Sequence, residues 1–437
     1  MRKSVLFLVV LCSIGVLTLP SSFAQTEEVR EKYERFEALL GRGSFFDNHL
    51  TGFMLFDLDS QQVIYEKNSH LNFIPASTIK VFTFYATLKT LRDSTHTFRY
   101  VSNGNSVKIW GSGDPTWHYH KANNGARIDQ FFNRFSEIHL SHSNWKDTGF
   151  GYGWQWDDYY YAYSAERSPL PIYGNLAIFN NQQNKPQAQV PLFAGMVKTY
   201  TKPTWRMERD FHSNTFYYNP NVYNQVRAEL PFIASPELSQ QLMEFQLKKK
   251  VSLSMDPLPA NHQLFKSGSL RPLWIELMQE SDNFIAEHLL LMVSDYLFSE
   301  LEAERAIEFI QKTYLNDLPD KPQWVDGSGL SRHNLSTPRS MIQLLSKLEE
   351  ELSRAELMRI FPQGGINGTI KNNYKAQRPY VFAKTGTMSN NHSLVGYIKG
   401  DSGKIYAFAF MSSNYLNKAS EIRREMEKVL QFVKQNY

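Results

Sequence analysis

The chain changes its pattern of apolar residues between Leu91 and about Lys250, and this interval limits the fold more than any other feature. Inside it, short β-like runs at 107–110, 192–197 and 215–218 are separated by Asn, Gly, Pro and Ser. Outside it, apolar residues recur mostly at helical spacing. A stretch of that length is too long for a loop within a compact domain and long enough to fold separately, so it reads as an insert. The flanking segments must then meet as one discontinuous outer domain, with ample material for a core in 437 residues. The expected division is a leader at 1–24, the outer domain at 25–93 and 252–437, and a β-rich inserted domain at 94–251.

The outer segments predict an α+β architecture. Val29, Tyr33, Phe36, Leu39 and Leu40 predict a helix ending at Gly41-Arg42-Gly43. Residues 51–58 and 62–65 predict a hairpin turning through Asp59-Ser60. Pro75 disfavours helix at Ile74, so a helix begins after it and runs through 78–88. Helical spacing returns at 273–278, 284–294, 301–314 and 338–354, and strands are expected at 380–384, 393–398 and 404–411 before a closing helix at 421–433. The outcome is an antiparallel sheet built from both ends of the chain and flanked by helices.

Composition removes several function classes. Arg2 and Lys3, an apolar run from Val5 to Leu19 and Ser22-Phe23-Ala24 read as a secretory signal cleaved after Ala24, with an uncleaved anchor as the alternative. Cys12, the sole cysteine, lies inside it behind Leu11, where lipidation needs a small residue. The exported chain then has neither disulfide nor thiol chemistry. The formal charge falls from +4 to +2 when Arg2 and Lys3 are removed, and the basic residues are interspersed with acids, which does not suggest nucleic acid. His118 and His120 lack nearby carboxylate or thiol ligands at metal spacing, so no metal or other cofactor is expected. The aromatic group Trp154, Trp156, Tyr159, Tyr160, Tyr161 and Tyr163 fits packing of the insert better than stacking on sugars.

Three short motifs carry chemistry. In Ser77-Thr78-Ile79-Lys80 a hydroxyl and an amine are i and i+3 neighbours on one helical face, near a helix N-terminus whose free N–H groups favour a developing anion. Such a serine is activated when the amine is neutral, which requires burial or a nearby cation. Ser281-Asp282-Asn283 lies between two apolar helical segments. It can cap the second helix, and it can also present Ser281 for proton relay and Asn283 to a substrate carbonyl and to Lys80, with Asp282 turned away. Lys384-Thr385-Gly386-Thr387 ends a strand. It reads either as an edge protected by a lysine or as a subsite in which Lys384 and Thr385 take a carboxylate and Gly386 admits substrate backbone. In the second reading the N–H groups of Thr387 and Ser77 form an oxyanion hole, and Lys384 sits near Lys80.

S-x-x-K, S-D-N and K-T-G in this order are the set used by penicillin-binding proteins and class A β-lactamases. Together with Gly111-Ser112-Gly113-Asp114-Pro115, Gly153-Trp154-Gln155-Trp156-Asp157-Asp158, Asp326-Gly327-Ser328-Gly329-Leu330-Ser331 and Gly365-Ile366-Asn367-Gly368-Thr369-Ile370, the sequence resembles the peptidase S13 family. These are low-molecular-mass class C penicillin-binding proteins that act as D-alanyl-D-alanine carboxypeptidases with endopeptidase activity. The resemblance implies a serine β-lactamase-like catalytic domain, periplasmic peptidoglycan stem peptides as substrates and covalent inhibition by β-lactams. The insert is short for the family, so not all of its subdomains are expected.

The resulting expectation is acyl transfer to water, with Ser77 as nucleophile, Lys80 as base, Ser281 and Asn283 completing the catalytic group, and Lys384, Thr385, Gly386 and Thr387 binding substrate. A β-lactamase of class A would need a glutamate in an E-x-x-N setting after the S-D-N motif, and no glutamate after Asn283 is followed by Asn at i+3. A non-catalytic cell-wall scaffold has no use for an amine beside a hydroxyl. Oligomeric state, peripheral contact with membrane or cell wall, and the preference for terminal residue or cross-link are left open by the sequence.

Overall fold

The computed structural model describes residues 22–437, so most of the leader expected at 1–24, including Cys12, lies outside the described residues. The outer domain is organised on a five-stranded antiparallel sheet. Strands β1 (Leu50–Asp57) and β2 (Gln62–Lys67) come from the N-terminal segment, and β3 (Val381–Met388), β4 (Asn391–Lys399) and β5 (Ile405–Ser413) from the C-terminal one. The order is β3-β4-β5-β1-β2, so the two ends of the chain meet where Leu50 to Asp57 pair with Ser413 to Tyr406. This is an α+β catalytic-type fold with β3 as the edge strand, its first half covered by residues 362–364 through Gly364 N to Val381 O at 2.9 Å and Ala383 N to Pro362 O at 3.0 Å.

One face of the sheet is covered by the first helix (Ser22–Leu40) and the last (Ala419–Asn436), through Phe36, Leu40, Ile422, Met426 and Val429. The other face packs on a helical core formed by Lys80–Thr90, Asn283–Phe298 and Pro338–Glu351. The helix Asn283–Phe298 is buried nearly all round, and Leu289, Leu290 and Leu291 are each 0% exposed. Burial of each such side chain stabilises the fold by about 1.5–3 kcal/mol. The stretch expected to be one helix over 338–354 is two, because Ser353 caps a separate helix Arg354–Ile360 by accepting from Glu356 N.

The insert has a core of its own, around Phe98, Trp117, Phe132, Phe179 and Phe232. Its larger sheet is mixed and runs Val251–Ser254, Glu137–Ser141, Ser106–Gly111, Phe98–Asn103, Gln263–Phe265, so its last strand lies beyond residue 251. Two three-stranded sheets complete it. The run at 192–197, read as a strand, is instead mostly a 3-10 turn, Pro191–Met196, where Pro191 lacks the N–H a ladder needs.

Candidate active site

Ser77 stands in a 3-10 turn, Ala76–Ile79, that leads directly into the helix Lys80–Thr90. The α-helix therefore starts three residues later than a helix opening at Ser77 would. Thr78 closes the turn, with its N–H and hydroxyl both donating to the Pro75 carbonyl at 3.1 and 2.8 Å. Ala76, the residue before the serine, has φ of +46°, a conformation that costs a non-glycine residue stability and is held by its surroundings. Gly329 is part of that support, since a Cβ there would lie 2.1 Å from the Ala76 carbonyl oxygen.

Lys80 is 0% exposed, and its Nζ donates to Ser77 Oγ at 3.0 Å, Asn283 Oδ1 at 2.7 Å and the Ser328 carbonyl at 2.5 Å. Burial lowers its pKa to about 8, against the pull of Asp326, Glu287 and Asp282. Lys384 is also 0% exposed and donates to Ser281 Oγ and the Thr385 carbonyl at 2.8 and 2.9 Å. Its pKa is held well below the lysine range, by burial first and by Lys80 second. Ser281 is thus hydrogen-bonded to Lys384 rather than to Lys80. It adopts φ of +60° at the end of a π-helical turn, and Asp282 next caps the helix Asn283–Phe298 by accepting from Ile285 N at 2.8 Å. Asp282 points away from Lys80, toward Tyr119 and Lys121, and although burial would raise its carboxyl, Lys121 overrides this and holds it low. The capping and site readings of this motif therefore apply to different residues of it.

The end of β3 closes the group. A Cβ on Gly386 would lie 2.2 Å from the Pro75 carbonyl oxygen and 3.0 Å from Ser77 N, so strand and turn approach backbone to backbone. Thr385 Oγ1 donates to Thr369 Oγ1 at 2.7 Å, and Thr387 Oγ1 lies 2.8 Å from His392 Nδ1. A cleft of about 340 Å³ lies between Ser77, Ser281, Thr385 and Thr387, and a second of about 560 Å³ reaches from Ser77 and Asn283 toward the insert.

The family model of the D-Ala-D-Ala carboxypeptidase 3 (S13) family matches residues 38–203 and 223–435. The chain belongs to the D-Ala-D-Ala carboxypeptidase 3 (S13) family. The expected enzyme class, a serine-type D-Ala-D-Ala carboxypeptidase, agrees with that membership. The chain is 23% identical to the D-alanyl-D-alanine carboxypeptidase DacB of Haemophilus influenzae, over 88% of this chain and 90% of that protein. The crystal structure of penicillin binding protein 4 (dacB) from the same organism superposes with a TM-score of 0.69 at 21% identity, covering 92% of this chain and 97% of that one. The Bdellovibrio bacteriovorus protein Bd3459, described as a predatory peptidoglycan endopeptidase, shares the fold with a TM-score of 0.51 at 15% identity, covering 88% and 92%.

Several residues of this S13 site are not legible in the three motifs. Ser328 contributes its carbonyl to Lys80, while its N–H is fixed by Glu287 Oε1 at 2.8 Å. Glu287 is buried, and burial with the neighbouring Asp326 carboxylate raises its pKa to about 7, against Arg167. Asp326 folds the loop itself, accepting from Gly329 N, Ser331 N and Asn334 Nδ2 at 2.7–2.8 Å. The match of Asp326-Gly327-Ser328-Gly329 to the family is the signal that points to it. Of the aromatic group assigned to packing, Trp154 does pack, donating to Asp326 Oδ2 at 3.0 Å. Tyr160, Tyr161 and Tyr163, by contrast, line the larger cleft, and Asn283 Nδ2 donates to the Tyr163 carbonyl at 3.0 Å.

Proposed function

We propose that this protein is a periplasmic serine D-alanyl-D-alanine carboxypeptidase that also cleaves D,D-cross-links between peptidoglycan stem peptides, works through an acyl-enzyme on Ser77 and is acylated by β-lactams. The observation that carries this reading is the buried Lys80 amine 3.0 Å from the Ser77 hydroxyl, with a pKa near 8. An amine in that range is neutral often enough at working pH to accept the proton as Ser77 Oγ bonds to the carbonyl carbon of the penultimate D-alanine. The N–H groups of Ser77 and Thr387 are assigned to the oxyanion, since the strand end and the turn abut at Gly386. Asn283 holds Lys80 in line and offers its amide to the substrate. The carbon–nitrogen bond breaks as the terminal D-alanine nitrogen takes a proton relayed from Lys80 through Ser281, whose hydroxyl turns from its resting contact with Lys384 to pass it on. Water then adds to the acyl carbon, gives its proton to Lys80 and releases Ser77.

In this reading the outer segments 25–93 and 252–437 carry the chemistry, and the insert 94–251 contributes the far wall of the cleft through Tyr160, Tyr161 and Tyr163. The leader pattern at 1–24 supports export, with peripheral contact to membrane or cell wall. No cofactor is assigned, and nucleic acid is not a proposed partner. Purified sacculi and a D-Ala-D-Ala pentapeptide are the substrates that test the proposal. Release of D-alanine and loss of cross-linked muropeptides by chromatography are expected, and intact sacculi together with an intact pentapeptide would refute it.

A further inference from the structure

Exposed aromatic rings are not scattered over this molecule. Among the described residues eight Phe, Tyr and Trp side chains are exposed, and six of them lie in two short segments of the insert, 150–163 and 205–211. Core packing does not account for rings left in solvent, and a cluster of them marks a surface that meets a partner. Trp156 is the most exposed, at 76%. Among the described residues its indole N–H has no hydrogen-bond partner, whereas Trp154, two residues earlier, donates its own to Asp326 Oδ2 at 3.0 Å.

The two segments meet ring to ring. Trp156 opens a 3-10 turn, Trp156–Asp158, and Phe211 stands between the paired strands Glu208–Arg209 and Phe216–Tyr218. Asp210 ties that loop by accepting from His212 N and Ser213 Oγ, both at 3.0 Å. Ring contacts then run without a gap from Trp156 to Phe211 at 6.3 Å between centroids, on to Tyr159 at 4.7 Å and Tyr160 at 5.3 Å, and through Tyr161 at 4.2 Å to Tyr163 at 5.2 Å. The inner end of this series is the tyrosine wall of the 560 Å³ cleft that opens on Ser77, and its outer end stands in solvent.

We propose that Trp156 and Phe211 form a platform for the glycan strand of peptidoglycan, stacking on an amino sugar while the stem peptide attached to that sugar lies in the cleft. A sugar ring offers aromatic side chains a flat C–H face, and its hydroxyl and acetamido oxygens can accept the Trp156 indole N–H. Stacking of this kind needs no charge. The occupant follows from continuity, because platform and cleft wall are one surface. The inference rests on the active-site reading above: with the leaving group at the end of β3, the acyl side of the peptide runs into the larger cleft. Its four residues span about 13 Å when extended, so the sugar emerges along the insert.

The test uses glycan strands stripped of peptide, titrated against the protein by tryptophan fluorescence. Saturable binding is expected, and Trp156→Ala combined with Phe211→Ala should weaken it about tenfold, the scale of losing two stacked rings. Trp156→Phe should recover part of the affinity, and Tyr296→Ala, which removes an exposed aromatic outside the series, should leave it intact. In turnover the double variant should lose about tenfold in kcat/KM on sacculi, mostly through KM, and stay within about twofold of wild type on a soluble D-Ala-D-Ala pentapeptide. Absence of binding to the stripped strands, undiminished binding in the double variant, or equal losses on sacculi and pentapeptide would overturn the assignment. Failure of the active-site reading looks different: wild-type protein would bind the stripped strands in a Trp156-dependent way yet release no D-alanine from the pentapeptide.

Discussion

Burial sets the chemistry of Lys80 before any neighbour acts on it. The amine is enclosed and its pKa falls to about 8 even though Asp326, Glu287 and Asp282 all pull the other way. In the proposed mechanism the neutral form is the base, so the sign follows directly: at pH 7 about one amine in ten is ready, and the ready fraction rises through pH 8. The rate of penicillin acylation, followed by stopped-flow fluorescence, should therefore climb about tenfold between pH 7 and 9. A flat profile over that range would show that Lys80 is not the base. Proximity of Ser77 and Lys80 was readable from their i, i+3 spacing. The lowered pKa was not, because it comes from burial, and the segments that enclose the amine, among them those of Ser328 and Asn283, arrive from 248 and 203 residues away.

At the scale of elements, the site is a junction between the Ser77 turn, the edge strand β3 and the loop 326–331. Glycine is required where two of these backbones touch. A methyl group on Gly386 cannot be accommodated at 2.2 Å from the Pro75 carbonyl without separating strand from turn. Gly386→Ala should slow acylation of Ser77 by about 10²-fold, as expected for a small displacement of an oxyanion donor, while leaving far-UV circular dichroism unchanged. Unchanged acylation would show that the junction does not position the chemistry. In the outer domain the strands, the hairpin and most helices were legible because each presents a clean period over enough residues, whereas in the insert the run at 192–197 misled and strands such as Glu137–Ser141 and Leu176–Gln182 were not read at all. The 3-10 turn at Ala76–Ile79, the π-turn at Glu276–Glu280 and the positive φ of Ala76 and Ser281 were not, since tertiary contacts impose them against local preference. The break before Ser353 was available in principle, because serine followed three residues later by Glu356 is a capping pattern.

For the whole molecule, joining both ends of the chain in one sheet makes the site depend on global folding. β1 and β5 pair across nearly the whole sequence, Leu50 with Ser413 and Asp57 with Tyr406, and the insert packs its own core between them in the chain. Buried neutral histidines link that fold to pH. His288 and His392 are pushed down to about 3, and His96 and His142 to about 4, chiefly by burial. Each depressed value means stability that is present above pH 6.5 and lost as the pH falls toward the folded value, because the unfolded chain takes up protons first. The melting temperature should decline steadily from pH 6.5 to pH 4, and His288→Gln should flatten the slope; an unchanged slope in that variant would remove His288 from the account. The gross architecture was legible as an interrupted α+β domain, whereas the cleft wall of tyrosines and the exposed rings that continue it required the folded arrangement to be seen. The central claim is that Ser77 is the residue acylated in this cleft, and intact-mass and peptide-mapping analysis after incubation with penicillin tests it most directly. One penicilloyl group on the peptide containing Ser77, absent from Ser77→Ala, is the predicted result; no adduct on the wild-type protein, or an adduct that persists in Ser77→Ala, would contradict it.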